Sequence, residues 1–595
     1  MQRVAGPNPV PVDAEEHLTT SLWRRREDRS EILRYHDGDR WVAVSWSELA
    51  ARVRAVAAGL IASGLEPGDT VGIMSPTRAE WTIADLAILA AAGVTVPIYE
   101  TDSLERCTWV IDNTETRWVL AGSRELGERV AAAGDEVGRP EEVLVLDEGA
   151  LDALAARADD DALAELERRL EQLSGDSVAS IVHTSGTTGR PKGCVLTHHN
   201  LVWTTRQSLA AVEEAFGGEH PSTLLFLPLA HVFARIIQFA ALEKGVVLGY
   251  ARSREDLPDD LEAVQPRFLL GVPRVFEKIH EAASDQASGV AGPIFDLAED
   301  VALELAAEDP GPMTRLKGQL ADLLVYRRVR ESLGGRVRYA LSGGGPISDD
   351  LVHFLGATGL TVVQGYGLTE TSAPATIDRP EAPRVGTVGR PLPGVEVGVD
   401  DRGEVLVRGP NVFQGYHRDP DATAESLDDE GWLHTGDLGE LDDEGYLRIT
   451  GRRKEVIVTA GGKNVAPDPL EEQLRAHPLI AEPVVIGDGQ PFIAALITLD
   501  PDRLEAFAGD HGLPAEQEAL HGHERVREEV AQAVEEANSG VSKAESIREF
   551  RILDRTFRVE DDELTPTRKP RRATILERFS DVVDDIYDQA ADRDR

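Results

Sequence analysis

A ten-residue segment in the first third of the chain combines hydroxyl groups, glycines and one lysine. It reads Thr184-Ser185-Gly186-Thr187-Thr188-Gly189-Arg190-Pro191-Lys192-Gly193. Glycines let backbone N–H groups approach an anion, hydroxyls add neutral donors, and lysine supplies a mobile positive charge. The composition predicts a phosphate-binding loop whose binding residues are Thr184, Ser185, Gly186, Thr187, Thr188, Gly189 and Lys192. A flexible linker would explain the hydroxyls and glycines, but not the Pro-Lys-Gly ending.

Two further glycine-containing segments follow strand-like apolar runs. The first contains Gly343, Gly344 and Gly345, and the second runs Gln364-Gly365-Tyr366-Gly367-Leu368-Thr369-Glu370. Three consecutive glycines would let backbone stack flat against a nucleotide base, although an ordinary tight turn between strand and helix has the same composition. A lone carboxylate near a triphosphate, such as that of Glu370, is the usual way to hold Mg²⁺.

These loops need strands and helices that bring them together. Apolar runs at 177–183, 337–341 and 361–364 predict strands, and amphipathic segments at 199–212 and after Ser348 predict the helices that follow. The carboxyl ends of neighbouring parallel strands meet at one crevice of an open sheet. The three loops are therefore expected to form one nucleotide site.

Alternation of strand-like and helical segments predicts an α/β fold in at least two domains, because 595 residues exceed one core. The large N-terminal domain, residues 1–450, is expected to contain two layered α/β subdomains. Short alternating strands from 386 to 449 add a small distorted β-barrel, and the acidic stretch 147–171 is interpreted as a solvated helix. Residues 451–595 form the expected small α+β domain.

Composition narrows the function classes. The chain is 42% hydrophobic and 28% charged, which predicts a soluble globular protein. Its net charge of −43 argues against nucleic acid and against strong adhesion to anionic lipid, so we expect peripheral membrane contact at most. With two cysteines, Cys107 and Cys194, and no secretory signal or membrane span in the sequence, a cytoplasmic location is expected. The sequence leaves the oligomeric state open.

The ten-residue loop and the Tyr366-Gly367-Leu368-Thr369-Glu370 segment resemble the signature motifs of the adenylate-forming ligases. The resemblance implies ATP and Mg²⁺ as cofactors, with Glu370 as the magnesium ligand assisted by Thr187. It places adenine between Gly343–Gly345 and Gln364–Tyr366, within a site that includes Gly367 and Thr369. Asp437 corresponds to the residue that binds the ribose hydroxyls, and Arg452 to its cationic neighbour.

Lysines near the end of the chain also match motifs of this family. The resemblance assigns Lys569 to the reacting carboxylate and α-phosphate, where a basic tail is the alternative. Lys454 would be the hinge of a mobile C-terminal domain, with a rigid linker as the alternative. The loop Gly461-Gly462-Lys463 would line the pantetheine tunnel of coenzyme A after the domain rotates.

Four other segments resemble the long-chain fatty acyl-CoA synthetases in particular. They are 97–101, 227–235, 271–278 and 459–465. The resemblance implies activation of a long-chain fatty acid to acyl-AMP and transfer to coenzyme A, with His231 at the gate of the acyl site; a lone histidine is otherwise more often structural. The apolar run 236–248 could form a wall of an acyl tunnel or a buried core helix. Arg453, Arg571 and Arg572 are a candidate patch for the phosphates of coenzyme A.

Three alternatives remain at this level. An acyl-carrier-protein ligase, or a ligase for another carboxylic acid and coenzyme A, would share every motif above. A catalytically inactive nucleotide-binding scaffold is the third, and the presence of Glu370 and Lys569 argues against it.

Overall fold

The structure, a computed structural model, describes residues 1–184, 190–253, 255–286, 292–307, 310–513, 520–543, 545–565 and 568–593. It is a mixed α/β fold with a large N-terminal domain and a small C-terminal domain, so the predicted fold class is confirmed. Three of its clusters of buried apolar residues lie within residues 18–447, and two lie within residues 457–587. The domain limits 1–450 and 451–595 stay a prediction.

Two largely parallel sheets form the framework of the large domain. In the described residues the first sheet has the strand order Gly415–Tyr416, Lys192–Thr197, Val178–Thr184, Val94–Ile98, Thr70–Met74, Trp118–Ala121, Glu142–Val145. The second has the order Arg390–Pro391, Ala373–Ile377, Thr361–Leu368, Tyr339–Gly343, Phe268–Gly271, Ser222–Leu225, Val247–Tyr250, Glu31–His36, Trp41–Ser45. Central strands such as Thr70–Met74 are buried along their whole length, as expected for parallel strands covered on both faces.

The small sheets complete the two domains. An antiparallel sheet stands where the sequence predicts the β-barrel, with the order Gln2–Ala5, Glu396–Val399, Glu404–Arg408, Leu433–Leu441, Leu447–Arg452. The C-terminal domain contains the strands Ile457–Val458, Asn464–Val465, Ile480–Ile486, Ile493–Leu499 and Ile547–Ile552.

Helices cover both faces of the large sheets. In the described part of the large domain they are Thr20–Arg24, Trp46–Ala62, Ala79–Ala90, Leu104–Asn113, Arg124–Val137, Ala150–Ala155, Asp160–Gln172, His198–Ala211, Glu213–Phe216, Val232–Lys244, Leu257–Val264, Pro273–Gln286, Gly292–Leu305, Pro312–Ala321, Asp322–Tyr326 (a π-helical turn), Arg327–Ser332, Asp349–Ala357 and Pro420–Ser426. The later helices are Asp468–Arg475, Pro501–His511, Glu524–Ser539, Arg572–Arg578 and Ser580–Arg593. Among these residues, no helix is both long and apolar enough to cross a bilayer.

The surroundings of the ten-residue loop differ from the prediction. The strand Val178–Thr184 is followed by a second strand, Lys192–Thr197, which pairs with it antiparallel and places Thr184 opposite Lys192. The helix His198–Ala211 therefore begins one strand later than a simple strand–loop–helix unit would have it. The strand Lys192–Thr197 is paired on both sides, with Val178–Thr184 and with Gly415–Tyr416, and the loop-like composition of residues 190–193 conceals it.

The interpretation of residues 147–171 as one solvated helix is wrong. The structure has two helices there, Ala150–Ala155 and Asp160–Gln172, and both bury an apolar side. Leu154 and Leu166 are fully buried. The acidic surface composition hid a narrow apolar stripe that packs on the helix Trp46–Ala62.

Candidate active site

A cleft of about 2860 Å³ opens at the carboxyl ends of the central strands of the second sheet and is closed on the far side by the C-terminal domain. The strands Tyr339–Gly343 and Thr361–Leu368 are parallel and in register, with Gly343 opposite Gly365. Their ends carry predicted nucleotide-site residues, all of which line the cleft: Gly343, Gly344, Gly345, Gln364, Gly365, Tyr366, Gly367 and Thr369.

At two of these positions a positive φ or a close contact with a neighbouring strand requires glycine. Gly344 has a φ of +83°, a conformation that side-chain-bearing residues rarely adopt. A Cβ on Gly367 would lie 1.7 Å from the carbonyl oxygen of Ala373 on the neighbouring strand. The helix Asp349–Ala357 that follows the triple glycine is capped by Ser348, whose side chain accepts the N–H of Leu351, as the sequence predicts.

Glu370 also lines the cleft, in the short helical turn that follows the strand. The Tyr416 hydroxyl donates a hydrogen bond of 2.8 Å to Oε1 of Glu370. The Lys192 ammonium lies 5.0 Å from the centre of the Tyr416 ring, beside the cleft lining rather than within it. Burial and the negative charge of Glu370 raise the pKa of Tyr416. Tyr416 thus holds the Glu370 carboxylate in place and remains a neutral donor.

The phosphate loop is only partly described. Thr184 lines the cleft, whereas Ser185, Gly186, Thr187, Thr188 and Gly189 lie outside the described residues. The outgoing end of the loop is held by Trp109, whose Nε1–H donates to the Pro191 carbonyl at 2.9 Å. The Arg190 guanidinium lies 4.6 Å from the centre of the Trp109 ring. Stacking and this hydrogen bond together fix the point where the chain leaves the loop.

Asp437 and Arg452 are neighbours across two antiparallel strands. Arg452 Nε lies 3.2 Å from Oδ1 of Asp437, and the Tyr366 hydroxyl donates to Oδ2 at 2.7 Å. Burial, the largest single influence, acts against the charge of Arg452, but the nearby negative groups, of which Asp437 contributes most, together raise the pKa of Arg452. Tyr366, Asp437 and Arg452 are therefore joined on the cleft wall by one hydrogen bond and one ion pair.

Lys569 reaches the same cleft from the C-terminal domain. Its loop is tightly closed: the N–H of Thr565 donates to the Lys569 carbonyl at 2.8 Å, and the N–H of Lys569 donates to the Thr565 hydroxyl at 2.9 Å. The side chain keeps contact with solvent while protein surrounds it on both sides of the cleft. Desolvation, together with the positive charge of Arg452, lowers the pKa of Lys569 to about 8.

His231 caps the helix Val232–Lys244 where the polar part of the cleft meets an apolar part. Its Nδ1 accepts the N–H of Phe233 at 3.1 Å, so the proton of the neutral ring is on Nε2. Burial, and then the charge of Lys569, lowers the pKa of His231 to about 4. The ring is therefore neutral at pH 7 and has one N–H free of the helix cap.

Beyond His231 an apolar arm of the cleft continues between two helices. It is lined by Ile236, Ile237 and Ala240 on one side and by Ser208, Val212 and Phe216 on the other. From His231 to Ala240 the helix rises about 13 Å. The mainly apolar lining of this arm suits a hydrocarbon chain.

The remaining predicted residues take two positions. Lys454, in the turn Arg453–Glu455 between the domains, lines the cleft. Gly461, Gly462 and Lys463 form a turn between the strands Ile457–Val458 and Asn464–Val465, and are not among the described residues that line it. Lys463 instead forms an ion pair of 3.1 Å with Glu545. The structure thus brings Lys569, and not the Gly-Gly-Lys turn, to the cleft.

The three arginines of the expected coenzyme A patch are all ion-paired in this structure, and the patch stays a prediction. Arg453 pairs with Glu404 and Arg572 with Glu471, each at 2.6 Å, and Arg571 pairs with Asp562. Each guanidinium is thus neutralised by its own carboxylate. The surplus of acidic residues in this chain supplies these partners.

Sequence reasoning missed Tyr416 and Trp109. Both lie outside the recognised motifs, and they reach the site through the edge strand Gly415–Tyr416 and the helix Leu104–Asn113. Tyr416 pairs with Cys194 only in the folded sheet. A buried aromatic with a polar tip is common in any core, so its type alone gave no signal.

Within the described residues, no group of three metal-binding side chains occurs. Glu370 offers Oε2 in addition to the oxygen that Tyr416 contacts, on the cleft wall beside the strand-end loops. A single carboxylate fits Mg²⁺, which usually takes its other ligands from substrate phosphates and water.

Comparisons with known proteins agree with this arrangement. Residues 22–417 match the model of the AMP-binding enzymes, and residues 454–591 match the AMP-binding enzyme C-terminal domain. The chain belongs to the AMP-binding enzyme family, and the resemblance seen in its motifs is confirmed.

Particular relatives extend over the whole chain. It is 42% identical to the long-chain-fatty-acid–CoA ligase FadD15 of Mycobacterium bovis, over 99% of this chain and 100% of the relative. It is 30% identical to the long-chain-fatty-acid–CoA ligase ACSBG2 of Xenopus laevis, over 93% and 81% of the two chains.

Solved structures share the fold. The o-succinylbenzoate CoA synthetase of Bacillus subtilis, in complex with the acyl-adenylate OSB-AMP, matches with a TM-score of 0.68 and 22% identity, covering 93% of this chain and 97% of that one. ATP-bound MatB of Rhodopseudomonas palustris matches with a TM-score of 0.70 and 24% identity, covering 95% and 100%.

Proposed function

We propose that this protein is an AMP-forming long-chain fatty acid–CoA ligase. It activates a fatty acid with ATP to acyl-AMP and pyrophosphate, and then transfers the acyl group to coenzyme A with release of AMP. The observation that carries the proposal is the single cleft in which the polar strand-end loops and the apolar arm meet beside His231 and Lys569. Its relatives that are named long-chain-fatty-acid–CoA ligases support the same reaction.

The first half-reaction joins the fatty acid carboxylate to the α-phosphorus of ATP. The ionised carboxylate is itself the nucleophile, so this step requires no general base. Negative charge builds up around the α-phosphate as pyrophosphate departs. In the proposal the Lys569 ammonium, preorganised by its hydrogen-bonded loop, stabilises that charge in a partly desolvated site.

The nucleotide is oriented by residues of the strand ends. Adenine would stack on the Gly343–Gly345 backbone, with Gln364, Gly365 and Tyr366 closing the other side. The ribose hydroxyls would donate to Asp437, whose carboxylate is already aligned by Tyr366 and Arg452. Thr184, Ser185, Gly186, Thr188, Gly189 and Lys192 would hold the phosphates.

Glu370 is the residue that would hold Mg²⁺, with Thr187 as the second expected ligand. Bound Mg²⁺ would neutralise phosphate charge and favour departure of pyrophosphate. Tyr416 keeps the Glu370 carboxylate oriented, because its hydroxyl donates to one of the two carboxylate oxygens. The Glu370 carboxylate thus faces the cleft before any substrate enters.

The hydrocarbon chain would occupy the arm lined by Ile236, Ile237 and Ala240. His231 stands at the entrance of this arm as a neutral ring with a proton on Nε2. It could donate a hydrogen bond to a carboxylate or carbonyl oxygen without adding charge to an apolar passage. This is the gate role that we propose for it.

The second half-reaction needs a different surface of the small domain. Here Lys569 occupies the cleft, and Gly461, Gly462 and Lys463 lie away from it. Rotation about Lys454 would exchange these two elements and bring the Gly-Gly-Lys turn to the pantetheine of coenzyme A.

We also propose that the enzyme acts in the cytoplasm, with at most peripheral membrane contact, since both of its cysteines are free and buried.

The test is AMP formation from Mg-ATP and palmitate, with and without coenzyme A. We expect AMP release that depends on coenzyme A, with palmitoyl-CoA as the second product. If acyl-adenylate forms but coenzyme A does not discharge it, the acceptor is wrong and an acyl carrier protein is the next candidate. If no adenylate forms from any fatty acid while another carboxylic acid reacts, the substrate class is wrong.

A further inference from the structure

One face of the helix Leu104–Asn113 holds both ends of the phosphate loop. At the incoming end, Nε2 of His183 lies 3.0 Å from the side-chain oxygen of Asn113. At the outgoing end, Trp109 Nε1 donates a hydrogen bond of 2.9 Å to the backbone that leaves the loop. Arg106 stands on the same face, because positions 106, 109 and 113 follow each other at spacings of three and four. The helix therefore presents a guanidinium to the loop that it holds.

Arg106 faces the cleft from a nearly buried position. Its side chain is 10% exposed and lines the cleft, as does Thr184 at the start of the loop. Burial, and after it the charges of His417 and Arg106, lowers the pKa of His183 to about 3, so Arg106 lies beside the residue that leads into the loop. Arg106 Nε is 3.2 Å from Oδ1 of Asp102, but at an angle that makes no hydrogen bond.

A second guanidinium enters the cleft from the C-terminal domain. Arg571 lines the cleft and lies two residues beyond Lys569 on one antiparallel turn. In this turn the N–H of Arg571 donates to the Glu563 carbonyl at 2.7 Å, and the N–H of Thr565 donates to the Lys569 carbonyl at 2.8 Å. Residues two positions apart on an extended segment project to the same side. Arg571 therefore follows Lys569 into the cleft.

The two guanidiniums are close enough to affect each other. Desolvation, and then the positive charge of Arg106, lowers the pKa of Arg571. Each is ion-paired with one carboxylate, Arg106 with Asp102 and Arg571 with Asp562. A guanidinium has more N–H donors than one carboxylate uses, and within the described part of the chain the buried Nε of each makes no hydrogen bond. Two like charges that face each other across a domain boundary are stabilised by an anion between them.

The surroundings of the two arginines indicate which anion this is. Arg106 stands beside the start of the phosphate loop, and Arg571 stands next to Lys569, the residue assigned to the α-phosphate of ATP. The β- and γ-phosphates extend from the α-phosphate into the loop. An arginine binds a phosphate group through two parallel hydrogen bonds, a geometry that the ammonium of a lysine does not offer.

We propose that Arg106 and Arg571 together bind the β- and γ-phosphates of ATP and hold the pyrophosphate formed from them. The inference rests on the proposed function, because it takes the reaction to be AMP-forming. A carboxylate oxygen bonds to the α-phosphorus while the bond from that phosphorus to the bridging oxygen breaks, and pyrophosphate leaves with that oxygen and its electron pair. The two guanidiniums stabilise the negative charge that this cleavage places on the leaving group.

The same pair links product release to the movement of the C-terminal domain. Arg571 and Lys569 share one turn of that domain, so the rotation proposed for the second half-reaction withdraws both from the cleft. The pyrophosphate site is complete in the present arrangement of the domains, and rotation opens it. The alternative is a cluster of ion pairs that joins the two domains and binds no ligand.

Isothermal titration calorimetry of the full-length protein with magnesium pyrophosphate distinguishes the two without any fatty acid. The variants are Arg106→Gln and Arg571→Gln. The matched control is Arg124→Gln, which removes a positive charge from an exposed arginine that is not among the described residues of the cleft lining. We expect each variant to bind pyrophosphate about tenfold more weakly, because it loses charge-assisted hydrogen bonds, and the control to bind as wild type does. AMP has no β- or γ-phosphate and should bind to all of these proteins with equal affinity.

A second pair of variants separates binding from stability. Arg106→Gln leaves the buried Asp102 carboxylate without its partner, which destabilises the large domain. Asp102→Asn/Arg106→Gln removes both charges and should lose pyrophosphate affinity as Arg106→Gln does. Asp102→Asn alone keeps the guanidinium and should bind pyrophosphate at least as tightly as wild type. Circular dichroism spectra unchanged from wild type show that these proteins are folded.

Three results would overturn the inference. Wild-type affinity for pyrophosphate in Asp102→Asn/Arg106→Gln removes Arg106 from the site. Wild-type affinity in Arg571→Gln removes the contribution of the C-terminal domain. An equal loss of AMP and pyrophosphate affinity in both single variants shows that the arginines join the domains and do not contact the phosphates.

Exchange of pyrophosphate into ATP separates this inference from the proposed function. With palmitate, the KM for pyrophosphate should rise about tenfold in Arg106→Gln, while transfer from preformed acyl-adenylate to coenzyme A, which involves no pyrophosphate, should keep its wild-type rate. If wild type adenylates no fatty acid but binds pyrophosphate through both arginines, the proposed function fails and the phosphate site stands. If it adenylates palmitate and both variants keep the wild-type KM for pyrophosphate, the phosphate site fails and the proposed function stands.

Discussion

The charge of Lys569 should control the first half-reaction and not the second. Its pKa of about 8 means that, by ordinary titration, about nine tenths of the free enzyme carries the ammonium at pH 7 and about one tenth at pH 9. Because the protonated form is the active one, kcat/KM for adenylation should fall about tenfold for each pH unit above 8. ATP and the fatty acid are ionised throughout this range, so they do not produce such a fall.

Substitution of Lys569 measures how much its side chain contributes to the rate of adenylation, which a pH profile alone does not give. Removing one preorganised donor from a charge-developing site costs about 10²–10³ in rate, so Lys569→Ala should lower adenylation by that factor. Lys569→Arg keeps a charge that does not titrate below pH 12, and its pH profile should be flat between pH 7 and 9.5. Lys463→Ala is the matched control, because Lys463 pairs with Glu545 outside the cleft.

The assay is pyrophosphate exchange into ATP, which reports adenylation alone. Transfer from preformed acyl-adenylate to coenzyme A is measured separately, and there Lys569→Ala should lose less than tenfold. The reasoning is refuted if Lys569→Ala keeps more than a third of the exchange rate. It is equally refuted if the wild-type profile is flat between pH 7 and 9.5, or if Lys463→Ala loses as much exchange as Lys569→Ala.

Three further predictions address other parts of the cleft. Glu370→Gln should lower kcat of adenylation about 10²-fold and raise the Mg²⁺ concentration for half-maximal rate. Tyr416→Phe, which removes the hydrogen bond to Glu370 and keeps the carboxylate, should cost less than tenfold, and equal losses in a magnesium titration would contradict the assigned roles. Arg235→Met should destabilise the large domain by about 3–5 kcal/mol, because it leaves the fully buried Asp85 carboxylate without its ion-pair partner at 2.7 Å. Urea unfolding followed by tryptophan fluorescence measures the free energy of unfolding, and a change under 1 kcal/mol would contradict the prediction. Ala240→Phe should fill the apolar arm and lower kcat/KM for palmitate at least tenfold relative to decanoate, and an unchanged ratio would show that the acyl chain lies elsewhere.

Local sequence rules located the strands and loops that build the site. The apolar run at 177–183 forms the strand Val178–Thr184, within one residue of the predicted limits, and Ser348 caps its helix as predicted. Both depend on side chains close in sequence: a continuous apolar run for a covered parallel strand and a hydroxyl at a helix start. The same short-range logic places Gly343–Gly345 and Gln364–Gly367 at the ends of adjacent parallel strands.

Other local patterns pointed the wrong way, for a common reason. Residues 190–193 look like loop, yet Lys192–Thr197 is a strand because residues 178–184 and 415–416 pair with it on its two sides. The acidic stretch 147–171 looks solvated, yet Leu154 and Leu166 reach a core formed with the helix Trp46–Ala62. In both cases a partner distant in sequence outweighs the local composition.

The sequence by itself determined which kinds of group stand at the cleft, among them the glycines of the strand ends, the carboxylate of Glu370, the imidazole of His231 and the ammonium of Lys569. Only the tertiary structure decided the protonation and the surroundings of these groups. Lys569 acquires its lowered pKa from desolvation within the cleft and from Arg452, more than a hundred residues earlier in the chain. His231 is held neutral because the helix cap uses Nδ1 and the protein surrounds the ring. Met313, Leu316 and Leu320, likewise, are exposed only because the fold buries the other side of their helical segment. Solvation and charge at a site depend on all the atoms around it, and folding supplies most of those from distant parts of the chain.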